Sequence, residues 1–350
     1  MKKILVILVL LTIALAAQAQ VSPKKVIQDP VEGGAYIAAV NASEPAQRAQ
    51  MMESFFRTYP NSVVTEDGLE FLLKTYQQLN NVAQMKSTAQ RALQVNPTNL
   101  TALVVLTYLE HAKGQENGPD AAAALQESGQ YGSRCVQALQ TTTKPEGNTD
   151  EQWVATKNQF RVICQAAAGH AALAAQDYPT AQQILRAVVA AQPTDVTSTY
   201  QLALAYLMPN PPVVDGLFWV AKAAASAPQL IPYAKNQYVR YHGSEVGFDE
   251  LMASAKSAPT IPARYSALPQ AAPLKLPSTY ISAQSSADKL QLNSDNSFSF
   301  QEAGLAYHGK FVLIDETVEL TISETGATTI LRRHGNNLMD SSAQAWNLEK

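Results

Sequence analysis

The sequence predicts an α+β protein, in which paired helices form the N-terminal part and a small antiparallel β domain follows. Three observations support this fold class. Apolar residues recur at the spacing of one helical face from about residue 35 to residue 258. Five prolines then fall within 258–277. After them the sequence consists of short alternating runs rich in β-branched and aromatic residues. We therefore divide the chain into a signal peptide (1–19), an N-terminal extension (20–34), a helical solenoid (35–258), a proline-rich linker (259–277) and a β domain (278–350).

The first 19 residues have the arrangement of a secretory signal peptide. Lys2 and Lys3 precede an uncharged, mostly apolar run, and Ala17-Gln18-Ala19 forms a small-x-small cleavage site. The run from Ile4 to Ala17 has 14 residues, which is short of the about 20 that cross a bilayer as a helix. An uncleaved anchor is the alternative. We expect an exported protein, periplasmic or secreted, that is cut after Ala19 and keeps no membrane span.

The composition excludes two classes of protein. Charged residues make up 16% of the chain, compared with about 25% in an average globular protein. Lys and Arg number 26 and Asp and Glu number 29, without a basic stripe that could neutralise phosphates, so nucleic acid is not an expected partner. The hydrophobic content of 46% is ample for packed cores and excludes a disordered chain.

Prolines mark the ends of the predicted helices and reveal a repeat. Pro60, Pro97, Pro145, Pro193 and Pro228 each follow an apolar helical stripe, at a point where proline cannot continue the helix. The first and last intervals between them are 37 and 35 residues, and the two central intervals are 48 residues each. A period near 34 that is built from two helices is typical of tetratricopeptide (TPR) repeats.

The stretch AAQDYPTAQQILRAVVAAQPTD, residues 174–195, resembles that family. With Pro193 as the terminal proline, Gly169 falls where the first helix needs a small residue, Tyr178 begins the second helix, and Ala181 lies where the helices cross. The resemblance implies a TPR-like solenoid of the exported bacterial type, whose first helices line a concave groove. It further implies that this groove binds a protein or peptide in the cell envelope.

The same resemblance places five side chains on the groove side of the first helices. These candidate partner-binding residues are Glu70, Lys74, Tyr108, His111 and His170. For His170, the alternative is a hydrogen-bonded packing residue between helices. For Glu70 and Lys74, it is an ordinary solvated ion pair at i,i+4 spacing.

The chain has two cysteines, Cys135 and Cys164. The helix pattern places them on consecutive antiparallel helices, at similar distances from the turn near Pro145, so they can lie opposite each other. Outside the reducing cytosol such a pair can form a disulfide. Two buried reduced thiols are the alternative.

About seven short strands separated by turn clusters are predicted in 278–350, as an antiparallel meander that closes or nearly closes into a small barrel. This tail is similar to the lipocalin-like β-modules that follow repeat domains in some exported bacterial proteins. Its aromatic residues are predicted to fill the core, with a ligand cavity as the alternative: Phe298, Phe300, Tyr307, Phe311 and Trp346. The basic pair Arg332-Arg333 is predicted to lie on a solvated strand edge.

The sequence lacks the motifs of common catalytic and metal sites. G-x-S-x-G, H-E-x-x-H, the P-loop pattern and C-x-x-C are all missing, and the five histidines lack a spacing of three or four. We therefore expect no catalytic residue, cofactor or metal ion, and no enzymatic activity. The expected function is that of an exported protein- or peptide-binding scaffold. The alternatives are binding of a small apolar ligand or lipid by the β domain, and an enzyme with a site at the domain junction.

Overall fold

The structure is a computed structural model that describes residues 25–116, 118–145, 147–209, 212–242, 245, 247–262, 273–314, 317–342 and 344–349. The predicted signal peptide lies outside these residues. The chain forms two compact units, Met1–Asp177 and Tyr178–Lys350. The boundary between the units falls inside the predicted solenoid segment 35–258.

The described part of the first unit contains seven helices. They are α1 (Pro30–Asn41), α2 (Pro45–Thr58), α3 (Thr65–Gln78), α4 (Val82–Val95), α5 (Leu100–Gly114), α6 (Ala121–Thr141) and α7 (Asp150–Ala174). Helix α1 begins before the predicted start at residue 35, because the Asp29 side chain accepts a hydrogen bond from the backbone N–H of Val31 and Pro30 fits the first turn. Helix α7 begins with a capping box between Thr149 and Gln152.

The helices of the first unit pack mainly against their neighbours in sequence. Contacts run from α1 to α2 and onward through each successive pair to α7, and α5 also contacts α7. This is the pattern of stacked hairpins, in which each element touches the next one. The prediction of consecutive helical hairpins is confirmed for this part of the chain.

The second unit begins with five further helices in its described part. They are α8 (Tyr178–Ala191), α9 (Val196–Leu207), α10 (Gly216–Ser226), α11 (Ile231–His242) and α12 (Phe248–Ser257), with a 3₁₀ turn at Pro228–Leu230. Helices α9 and α10 cross at Gly216, where an added Cβ atom would lie 2.6 Å from Cγ of Leu207. The predicted prolines lie just beyond helix ends, as expected: Pro60 follows α2, Pro97 follows α4, Pro145 follows α6, Pro193 follows α8 and Pro228 follows α10.

The β part of this unit is a closed antiparallel barrel in which each strand pairs with the next and β8 pairs with β1. The strands are β1 (Ser278–Ser282), β2 (Lys289–Leu292), β3 (Ser297–Glu302), β4 (Leu305–Ile314), β5 (Thr317–Ile322), β6 (Thr328–His334), β7 (Asn337–Met339) and β8 (Ala345–Leu348). The α+β fold class and the barrel are confirmed. The barrel has eight strands where about seven were predicted, and its shortest strand, β7, has only three residues.

The basic pair on β6 does not lie on a sheet edge, contrary to the prediction. Strand β6 pairs with β5 on one side and with β7 on the other. Arg332 is exposed, whereas Arg333 is partly buried and lies opposite the buried Leu338. The two arginines point to opposite faces because successive side chains alternate along a strand.

A disulfide joins Cys135 on α6 to Cys164 on α7. Their Cα atoms are 6.1 Å apart, and both side chains are fully buried. The two helices are consecutive and packed together, which is the arrangement that the helix pattern predicts for these residues.

Candidate functional site

The five candidate partner-binding residues lie on three helices of the first unit. Glu70 and Lys74 are on α3, Tyr108 and His111 are on α5, and His170 is on α7. Glu70 and His170 are buried, with 7% and 3% of their surface exposed, and the other three are half-buried. Only the half-buried residues offer surface to a partner in this conformation.

Glu70 belongs to a polar junction between α3 and the start of α5. The side-chain oxygen of Asn99 accepts a hydrogen bond from the backbone N–H of Ala102 and so caps α5. Its amide nitrogen donates to Glu70 at 2.6 Å and to Glu66 at 2.9 Å. Burial raises the pKa of Glu70, and the hydrogen bond from Asn99 acts in the opposite direction. Glu70 therefore helps to hold two helices together, and it is not the solvated partner of an ion pair.

Burial shifts the pKa values of both Lys74 and Tyr108. Burial lowers the pKa of Lys74, because it disfavours the charged ammonium, and the nearby Glu70 opposes this effect. Burial also raises the pKa of the Tyr108 hydroxyl. The polar ends of both side chains are thus partly withdrawn from water, although each residue keeps some exposed surface.

His111 and His170 form a pair between α5 and α7. Nε2 of His111 and Nδ1 of His170 are 2.7 Å apart, and the ring centroids are 4.8 Å apart. One ring donates and the other accepts, so the pair accommodates at most one extra proton. Burial lowers the pKa of His170 to about 3, and His111 adds to this shift. His170 is therefore placed as a buried, hydrogen-bonded residue that packs between helices.

An ion pair between the partly exposed Lys86 and the buried Glu110 links α4 to α5 and was not anticipated from the sequence. Nζ of Lys86 lies 2.6 Å from Oε1 of Glu110, whose side chain is only 3% exposed. The hydrogen bond to Glu110 raises the pKa of Lys86. The signal available in the sequence is one carboxylate inside the otherwise apolar stretch of α5, since a buried charge requires a partner.

The aromatic residues of the β domain pack inside the barrel. Phe298, Phe311 and Trp346 belong to one buried cluster, and the half-buried Phe300 packs against it. The Phe300 ring lies 5.1 Å from the Trp346 ring and 6.1 Å from the Tyr307 ring, measured between centroids. These contacts favour the core interpretation, as expected for a small barrel whose interior is filled by its own side chains.

A cleft in the second unit was also not anticipated from the sequence. It has a volume of about 390 Å³ and lies between α9, α11 and the connection from β7 to β8. We call it the tyrosine cleft, and its main lining residues are Met208, Pro209, Pro212, Tyr233, Arg240 and Tyr241. The sequence signal was the tyrosine-rich stretch IPYAKNQYVRYH, which forms α11.

The side chains of the tyrosine cleft are held by specific contacts. Arg240 donates a hydrogen bond to the backbone carbonyl of Ser342 at 3.1 Å and lies over the Tyr241 ring. Tyr233 packs edge-on against Tyr200, with ring centroids 5.8 Å apart. Met208 is 53% exposed. The cleft therefore presents a flexible apolar side chain beside fixed aromatic rings and a guanidinium group.

The described residues provide neither a metal-binding cluster nor a membrane-spanning helix. Among them, no group of three or more His, Cys, Asp or Glu side chains is placed to hold a metal ion. Within the same part of the chain, no helix has the length and apolar character needed to span a bilayer.

Comparison with known proteins assigns no family to this chain. No protein-family model matches the chain, and no curated protein matches it. Among solved structures, the chain is similar to a thermophilic TPR protein from Thermus thermophilus. The match has 16% sequence identity, covers 59% of this chain and 99% of that chain, and has a TM-score of 0.28. The description of the helical part as stacked hairpins rests on the contacts within this chain.

Proposed function

We propose that this protein is an exported, non-catalytic scaffold that binds a segment of another protein in the cell envelope. The observation that carries the proposal is the tyrosine cleft, an open cavity of about 390 Å³. Its lining includes tyrosine, methionine and arginine, which are enriched at protein interfaces.

The composition of the tyrosine cleft suits an extended peptide. Tyr233 and Tyr241 provide aromatic walls, Met208 can adapt its shape to different apolar side chains, and Arg240 can donate hydrogen bonds to backbone carbonyls of the partner. The lining contains no lysine, aspartate or glutamate in the described part of the chain. Apolar and aromatic contacts are therefore expected to supply most of the affinity.

The same lining supports a non-catalytic role. Ser341 and Ser342 border the cleft, but no histidine or carboxylate lines its described part. A serine hydroxyl needs an adjacent base to act as a nucleophile. The described lining of the tyrosine cleft thus offers groups for contact and provides no base for a serine nucleophile.

The helical hairpins of the first unit supply a second contact region in this proposal. Lys74, Tyr108 and His111 keep part of their surface on α3 and α5. Glu70 and His170 act from inside by holding the helices that present these residues. Stacked hairpins suit this task because adjacent repeats expose side chains at regular intervals.

Site-specific photo-crosslinking in the native cell tests the proposal. A photoreactive amino acid is placed at Arg240, in the tyrosine cleft, or at Asn236, which is exposed on the same helix and does not line the cleft. We expect position 240 to capture a discrete protein and position 236 to capture none. A third placement at Lys74 reports on the hairpin surface.

Substitutions then test whether capture depends on the cleft. With the photoreactive group at Gln237, which also lines the cleft, the double variant Met208→Ser/Arg240→Glu should lose the crosslink. Asn236→Ser is the matched control and should retain it. Equal capture by the double variant, or no capture from position 240, would count against binding in the tyrosine cleft.

A further inference from the structure

One end of the barrel contains a second cavity, independent of the tyrosine cleft. Its volume is about 370 Å³. It is bordered by β1, by the turn between β6 and β7, by the end of β8, and by residues 273–275, which precede β1. Leu274 and Leu276 pack against the core of the barrel. We call residues 273–277 the strap, because this segment lies across the barrel end.

Arg333 is the central charged group of this cavity. It lies two residues beyond the buried Leu331 on β6 and opposite the buried Leu338 on β7, so it faces the barrel interior. Its Nε atom is buried and has no hydrogen-bond partner among the described residues. A buried N–H without a partner costs free energy, and an incoming acceptor would recover it.

Two hydroxyl groups lie beside Arg333. Tyr280 and Ser278 both project inward from β1 and both line the cavity. Burial raises the pKa of Tyr280, while the hydrogen bond with Ser278 and the charge of Arg333 act in the opposite direction. Tyr280 and Arg333 line the same cavity, so one ligand in it can contact both side chains.

The described lining of the cavity carries two positive side chains and no negative one. Lys275 on the strap and Arg333 both border it, and none of its described lining residues is acidic. The chain as a whole has a net charge of −3, so this end of the barrel differs in sign from the average surface. Three leucine side chains form an apolar part of the wall, which we call the leucine wall: Leu274, Leu338 and Leu348.

We propose that this cavity binds a small organic carboxylate, with its carboxylate on Arg333 and the Tyr280 hydroxyl and its apolar part against the leucine wall. Arginine suits this task because its planar N–H groups match the two oxygens of a carboxylate. The volume lies at the lower end of the range for small-molecule sites, about 300–1,000 Å³. A compound with a short alkyl chain is therefore the expected class of ligand.

Calorimetric titration of the whole chain with hexanoate tests the proposal. Hexanamide, which has the same shape without the charge, and inorganic phosphate, which has the charge without the alkyl chain, are the two comparison ligands. We expect hexanoate to bind at least about tenfold more tightly than hexanamide, because charge-assisted hydrogen bonds to arginine are the stronger kind. We also expect it to bind more tightly than phosphate.

The neighbouring arginine provides a matched control. Arg333→Met should weaken hexanoate binding by about tenfold or more, whereas Arg332→Met, which removes an equal charge from the outer face, should leave it unchanged. Tyr280→Phe keeps the ring that packs in the core and should weaken binding by about threefold. This variant keeps the test decisive if Arg333→Met fails to fold.

Four results would overturn the proposal. They are undetectable binding of hexanoate, equal affinity for hexanoate and hexanamide, tighter binding of phosphate than of hexanoate, and unchanged hexanoate affinity in Arg333→Met or, if that variant does not fold, in Tyr280→Phe. A failed crosslink in the tyrosine cleft has no bearing on these titrations, because the two sites share no lining residue.

Discussion

Gly132 on α6 lies directly against the backbone carbonyl of Cys164 on α7. A Cβ atom at position 132 would lie 2.5 Å from that oxygen, and a Cβ atom at position 129 would lie 2.4 Å from Cβ of Ala171. Two glycines one turn apart therefore set the separation of the two longest helices in the described part of the first unit.

Substitution of this glycine should destabilise the protein although alanine is the better helix former. We expect Gly132→Ala to lower the free energy of unfolding by about 1–3 kcal/mol, because the added methyl group forces the helices apart. Gly34→Ala on α1 is the control, since nothing lies within 4 Å of its added Cβ atom, and it should stabilise by about 0.4–1 kcal/mol. Denaturant unfolding measures both values, and stabilisation in both variants would contradict the close approach.

The disulfide between α6 and α7 should contribute strongly to stability. Because it closes a loop with a sequence separation of 29, the chain-entropy estimate gives about 3.6 kcal/mol. We expect Cys135→Ala/Cys164→Ala to lose about this amount in oxidising buffer. Under reducing conditions the wild-type protein should fall to nearly the stability of the variant. Wild-type stability that does not respond to the reductant would indicate free thiols.

The buried His170 should make the fold sensitive to acid. The pKa of His170 is lowered from 6.5 to about 3 in the folded state, so the unfolded state binds the proton more readily. The neutral His170 therefore makes its full contribution to the free energy of unfolding above about pH 6.5, and this contribution is lost progressively as the pH falls towards 3. We expect His170→Asn to show a smaller loss of melting temperature than the wild type between about pH 7.5 and pH 5. His308→Asn, at an exposed position on β4, is the control and should keep the wild-type loss.

Glu70 should make stability depend on pH in the opposite direction. Its pKa is raised above 4.5 in the folded state, so the folded state holds the proton more tightly, and stability falls as the pH rises from 4.5 through the folded pKa. Glu70→Gln keeps an acceptor for Asn99 without the charge. Its stability relative to the wild type should therefore increase between about pH 4 and pH 7 in thermal melts. Glu127→Gln on α6, an exposed position, controls for the loss of one negative charge. If the difference in stability between Glu70→Gln and the wild type does not change with pH, the carboxylate of Glu70 is not buried as described.

The regular elements were predictable because their signals are local. The prolines after α2 and α4 end apolar stripes of the right period, and a helix cannot continue past them. Strands β2 to β6 were predictable from the alternation of their side chains. Strand β7 was harder to predict, because three residues beside a turn contain too little alternation to identify a strand.

The sites were less predictable because they depend on contacts between distant residues. The pairing of His111 with His170 spans 59 positions in the sequence, and no spacing rule predicts it. The inward direction of Arg333 follows from the register of β6 against β7, which a two-residue motif does not specify. The five candidate residues were correctly placed on helices, but the periodicity of one helix does not show which of its faces a neighbouring hairpin covers.

The pairing of β8 with β1 also determines when the barrel can form during synthesis. Every nascent chain that stops short of Ala345 lacks the closing strand, so β1 and β7 remain open edges until translation has passed Leu348. The hairpins of the first unit make their contacts mainly between consecutive helices and need no such distant partner. The barrel therefore closes only when its last strand is present, and until then its open edges can pair with other strands.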